Sequence, residues 1–112
     1  MMTPVTGTAP SARTRYLILA LRDTTLRSFV ANIIAQEQPA DIAMPLAELL
    51  TDRSDFLRAT AAQLLGGLNE VPPDVRQRLA QAGCEDDHPI VRQNAQESLW
   101  RLTHSAAVET VA

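Results

Sequence analysis

An all-α fold is predicted, a short right-handed solenoid of three antiparallel helix pairs. Three observations predict it. The stretch Asp52–Leu68, DRSDFLRATAAQLLGGL, recurs 34 positions later as Asp86–Leu102, DDHPIVRQNAQESLWRL. Asp52 falls on Asp86, Phe56 on Ile90, Leu57 on Val91, Arg58 on Arg92, Ala61 on Ala95, Leu65 on Leu99 and Leu68 on Leu102. Repetition at such a period marks similar helical units stacked side by side. Apolar residues also recur at helical spacing between stretches of Pro, Gly and Asp. Finally, Ala and Leu supply most of the apolar mass and only 4% of residues are aromatic, which suits close-packed helices better than a sheet.

The elements follow in order. Residues 1–11, MMTPVTGTAPS, carry no charge and no apolar period, and read as a disordered tail. The ordered part is 12–103, in three repeats of about 12–37, 40–69 and 73–103. A helix over 12–22 places Tyr16, Leu17, Ala20 and Leu21 on one face. Asp23-Thr24-Thr25 supplies a turn and a cap. The next helix, about 26–36, has Leu26, Val30, Ile33 and Ile34 as its stripe, and Pro39 closes it. Asp41 is the expected cap of a helix over 41–51 with Ile42, Leu46, Leu49 and Leu50 inward. Pro45 inside it removes a hydrogen bond and is expected to bend it. After a turn at Asp52–Asp55, capped by Ser54 or Asp55, a helix runs to Gly66-Gly67, a C-terminal signal. Pro73-Asp74 opens a helix to about Gly83, with Val75, Leu79 and Ala82 or Ala80 inward, and Pro89 opens the last, to about Leu102. Residues 104–112 form a C-terminal tail that frays or folds back.

The first repeat is a weaker copy. Leu17, Ala20, Leu21 and Asp23 match Leu46, Leu49, Leu50 and Asp52 at an offset of 29; Arg27, Val30 and Ile34 match Arg58, Ala61 and Leu65 at 31. A divergent terminal repeat is expected where one face meets water. With Trp100 at the other end, it suggests a small domain capped at both ends.

Composition narrows the function. All ten basic residues are Arg, so Schiff-base chemistry and a phosphate-loop lysine are excluded. A net charge of −3 argues against nucleic acid as the default partner. The charge is uneven, however. Residues 1–35 hold Arg13, Arg15, Arg22 and Arg27 against Asp23 alone. Nucleic-acid binding through this Arg-bearing repeat is one alternative. Cys84 is the single cysteine, so no internal disulfide forms and a reducing compartment, the cytoplasm, fits. The apolar run Tyr16–Leu21 is too short to span a membrane.

One motif carries a resemblance. It reads Leu-x-x-Leu-Leu-x-Asp, a short turn, then apolar-apolar-Arg-x-x-Ala-x-x-x-Leu-Gly, and Leu46–Leu68 is its best copy. It resembles a HEAT repeat, and more narrowly the short HEAT-like repeats of the phycocyanobilin lyase type, in which a proline such as Pro45 is also typical. The resemblance covers residues 12–103 and implies an armadillo-type superhelix. Family members do many unrelated things. Those of the lyase type attach or remove a bilin at a partner's cysteine, a second alternative for this chain.

The Asp-to-Arg spacing of six also has its own chemistry. The Asp ends one helix and the Arg sits one turn into the next. Arg58 is placed to bond Asp52 in its own unit and an acid or a helix C-terminus in a neighbour. A structural ladder of Asp52, Arg58, Asp86, Arg92 and Arg27 is therefore expected.

Catalytic signals are weak. His88 and His104 lack helical ligand partners, and Glu85, Asp86 and Asp87 lie in a turn where capping is the simpler role. Cys84 has His88 four residues on, but the matching positions carry Leu50 and Leu21, so a buried core thiol is expected. No catalytic, cofactor or metal set is assigned. Trp100 is different. On a helical projection Val91, Ala95, Ser98, Leu99 and Leu102 cluster together, and Trp100 lies opposite with Gln93, Gln96 and Glu97. Either it seals the end where a fourth repeat would stack, under Ala106, Val108 and Val111, or it anchors a partner. The expected function is non-enzymatic binding of another protein. The second helices would line a concave face exposing Gln63, Gln93, Glu97, Arg101 and Trp100.

Overall fold

The computed structural model describes the backbone of residues 10–111 and the side chains of residues 10–104. Most of the expected N-terminal tail, residues 1–9, lies outside the described residues. Six α-helices form three pairs: α1 Ala12–Ala20 with α2 Arg27–Glu37, α3 Ala43–Glu48 with α4 Asp55–Gly66, and α5 Pro73–Glu85 with α6 Pro89–Val111. Among the described residues there is no strand. The pairs stack into a short α-solenoid, with the closest packing between α4 and α6 and between α5 and α6.

Local chemistry sets the helix starts. Ser11 Oγ accepts from the Thr14 amide at 3.2 Å, and Ser54 Oγ accepts from the Leu57 amide at 3.3 Å. Pro73 and Pro89 occupy first positions, where a missing N–H has no intrahelical partner anyway. At the end of α2, Gln38 takes a left-handed backbone, φ 44°. Its side chain holds that geometry by donating to Gly67 O at 3.0 Å and accepting from the Asn69 amide at 2.9 Å. The ends of α2 and α4 are thereby tied.

Two expectations about the second pair are corrected. Asp41 does not cap α3, which begins without a side-chain cap. Its carboxylate turns back to the first repeat, accepting from the Ser11 amide at 2.7 Å and from the Thr14 hydroxyl. Pro45 does not bend a long helix. It is the third residue of a six-residue one, inside the first turn, where no ladder bond is lost. The segment then tightens into a 3-10 turn, Leu49–Thr51.

One core runs through all three pairs. Leu21, Ile34, Leu46, Leu65, Leu79, Val75, Val91 and Ala95 are fully buried, and Leu57, Ala61 and Ala62 join them. Between the second and third repeats the contact is closest. Ser98, itself buried, donates to Ala62 O and lies against Gly66. Asn94 Nδ2 donates to Ala59 O at 3.0 Å.

Three further expectations change here. Tyr16 is not on the inner face of α1; it is 75% exposed, because Thr14, Leu17 and Leu21 point inward. Cys84 is exposed, not core. The buried series Ile42 and Leu46 aligns with Val75 and Leu79 at an offset of 33, not 34, since the 3-10 turn shortens the second repeat's first helix against α5. Cys84 thus matches exposed Thr51. Third, α6 does not stop near Leu102; it continues as helix through Val111.

Candidate protein-interaction surface

The Arg and Asp residues of the turns meet along one side of the stack. Arg58 is a two-sided clamp. Its Nη1 donates to Asp52 O at 2.9 Å and to Arg53 O at 3.2 Å within its own repeat. Its Nε and Nη2 hold both carboxylate oxygens of Asp86 in the next repeat, at 2.9 and 3.2 Å. Both side chains are largely shielded, 14% and 8% exposed. The inward half recurs: Arg27 Nε donates to Leu21 O at 2.7 Å, and Arg92 Nη1 to Asp86 O at 2.6 Å. The Arg58–Asp52 contact therefore uses the backbone carbonyl, not the carboxylate.

Between the first and second repeats a different arginine makes the rung. Arg22 Nη2 meets Asp52 Oδ1 at 2.7 Å, while Arg27 lies 6.0 Å over the Phe56 ring. Sequence matching pointed to Arg27 and missed Arg22. The available signal was position alone, since Arg22 directly precedes the turn aspartate of its own repeat. Buried Thr14 had no sequence signal at all.

The ladder perturbs its carboxylates. The Arg22 hydrogen bond, then the Ser54 amide, hold Asp52 below the ordinary Asp range. Asp41 is lowered by the Ser11 amide and the Thr14 hydroxyl. For Asp86 burial is the largest influence and acts upward, but Arg58 and the His88 amide together outweigh it and its value is lowered. The Asp86 contacts in turn raise Arg58. Carboxyls whose folded values lie below the unfolded ~3.9 bind protons less readily when folded. Stability is thus fully present above about pH 5 and lost as pH falls through the lowered folded values. Urea midpoints measured from pH 7 downwards should fall on acidification. The fall should be shallower in a chain carrying Asp52→Asn and Asp86→Asn; an unchanged slope would contradict the ladder.

His88 is fully occupied. Its Nδ1 accepts from the Ile90 amide at 3.2 Å, and its Nε2 lies 3.4 Å from Asp55. This is a helix-start role. Among the described residues no three of His, Cys, Asp and Glu gather as a metal site.

The polar stripe of α6 carries Gln93, Glu97, Trp100, Arg101 and His104, all exposed. Gln93 Nε2 donates to Glu97 at 3.4 Å. Trp100 is 61% exposed and stacks on His104, ring centroids 4.0 Å apart. His104 Nδ1 is 2.8 Å from Trp100 O. Gln63 is exposed on α4. At the 34-residue offset Trp100 takes the place of Gly66, the point of closest approach inside the stack. The helix carries Ala106, Val108 and Val111 onward instead of folding them back as a lid.

The family model described as HEAT repeats matches residues 14–100. The chain belongs to the HEAT-repeat family. The match does not extend to the narrower lyase-type resemblance. No curated protein and no solved structure matches the chain. Among the described residues this HEAT-repeat chain has no helix long and apolar enough to cross a membrane.

Proposed function

We propose that this HEAT-repeat chain is a non-enzymatic module that binds another protein through the face of its second helices, with Trp100 as the anchor. The exposed Trp100–His104 stack supports this reading most directly. Gln93, Glu97 and Arg101 surround it on α6, and Gln63 extends the face to α4. A mostly exposed Trp ringed by polar groups is the pattern of an interface hot spot. HEAT repeats commonly serve as interaction scaffolds, which agrees.

Nucleic-acid binding by the first repeat has less support. Arg13 pairs with Glu37, Arg22 with Asp52, and Arg27 is spent on Leu21 O, Arg22 O and the Phe56 ring.

Affinity capture from native lysate, wild type beside Trp100→Ala, tests the proposal. One enriched protein lost with the variant is the expected result. Because Trp100 is 61% exposed, the variant should keep its stability within about 1 kcal/mol. A larger loss on thermal melting, with capture unchanged, would return Trp100 to a structural role.

A further inference from the structure

The two ends of the stack are unlike, and each offers what the other lacks. At the outer end of the first repeat Tyr16 and Phe29 are 75% and 65% exposed. Their positions are those that face a preceding repeat elsewhere. Phe29 falls on Thr60 and then on Asn94, whose side chain reaches Ala59 of the repeat before it. Tyr16 falls on Pro45 and then on Arg78, which borders the cleft against α3. A terminal face is expected to be polar; this one carries two exposed aromatic rings. At the other end stand Trp100, Cys84 and Ala80, all exposed.

The ladder is open at the same two ends. Arg92 uses Nη1 on Asp86 O, as Arg58 uses Nη1 on Asp52 O. The opposite edge, which in Arg58 holds Asp86, meets no carboxylate among the described residues in Arg92. Asp23 occupies the turn position of Asp52 and Asp86, and its Oδ1 accepts from the Thr25 and Leu26 amides. Among the described residues no arginine meets Asp23. One half-rung is a donor and the other an acceptor. Charge points the same way. Residues 12–37 hold four Arg against two acids, and residues 73–103 hold four Arg against five acids. Pairing two first repeats would oppose like charges, whereas pairing first with third does not.

We propose that the outer face of the first repeat docks on the outer face of the third repeat of a second copy of this chain, head to tail, with Arg92 of one copy facing Asp23 of the next. Trp100 in the place of Gly66 prevents the close approach found inside the stack. The larger Tyr16 and Phe29 fill the wider gap. Arg22 already shows that a looser junction still closes a rung. This contact goes beyond the partner-binding reading: it shares Trp100 with that surface but needs no foreign protein.

Sedimentation equilibrium of the purified chain tests it, from about 1 μM to about 1 mM, the range of weak specific contacts. The average mass should rise above the monomer with concentration. Phe29→Glu and Trp100→Glu change exposed side chains, and circular dichroism confirms that each chain remains folded. Each alone should associate at least tenfold more weakly. Their equimolar mixture should form a species with one copy of each and nothing larger, since one intact face of each kind remains. Arg92→Gln should also weaken association. A wild type that stays monomeric throughout, a Trp100→Glu chain that pairs undiminished, a mixture that stays monomeric, or an Arg92→Gln chain of unchanged affinity overturns the proposal.

Discussion

Gly66→Val should lower the unfolding free energy by about 3 kcal/mol, at the upper end of overpacking losses. A β-carbon at Gly66 would stand 2.6 Å from Ser98 Cβ and 2.7 Å from Ser98 Cα. The second of these is backbone on α6, which cannot rotate away. Gly66→Ala meets the same contacts but gains about 1 kcal/mol of helix propensity, so its net loss should be nearer 2 kcal/mol. Urea denaturation measures both. Ser98→Gly should recover part of the Gly66→Ala loss by removing the side chain, though not the backbone contact. If alanine were neutral at Gly66, α4 and α6 would be separable without cost and the closest junction would not be where the structure puts it.

Arg58→Ala should cost about 3 kcal/mol, because it leaves a shielded Asp86 carboxylate without its counter-charge. It also frees the Asp52 and Arg53 carbonyls from their donor. Lysine should not substitute. One ammonium cannot span a carboxylate on one side and two carbonyls on the other as the planar guanidinium does. Thermal melts of Arg58→Ala, Asp86→Ala and the double variant close a cycle, and its coupling should exceed about 1 kcal/mol. Strict additivity would show that the two side chains do not act together.

The six helices were legible because the repeat writes itself twice, and the second copy checks the first. Ser54, Pro73, Pro89 and Gly66-Gly67 marked helix ends through chemistry that acts within a few residues. What escaped acts over longer range. Asp41 reads as a local cap until Ser11 and Thr14, in another repeat, claim its oxygens. Cys84 was placed inward by an offset that one 3-10 turn shifts by a residue. Tyr16 fits an apolar stripe by spacing, but spacing cannot say which side of a terminal helix has a neighbour. Trp100 was legible as an oddity, since a Trp among Gln and Glu is visible in any projection. That its neighbour would be His104 followed only once α6 ran past Leu102.

The inward grip of each turn arginine has a consequence for how such a chain changes over time. Arg27, Arg58 and Arg92 all donate to the carbonyl six residues behind them, on Leu21, Asp52 and Asp86. A carbonyl belongs to every residue, so no substitution at that position removes the acceptor. The outward grip needs a carboxylate and is open to mutation. Drift can therefore erase the bond between units while each hairpin keeps its turn. In the first repeat Leu21 supplies the carbonyl that Asp52 and Asp86 supply in the others, and the carboxylate of Asp52 is met by Arg22 instead of by Arg27. Closure of a unit and attachment to its neighbour thus rest on different atoms of the same arginine.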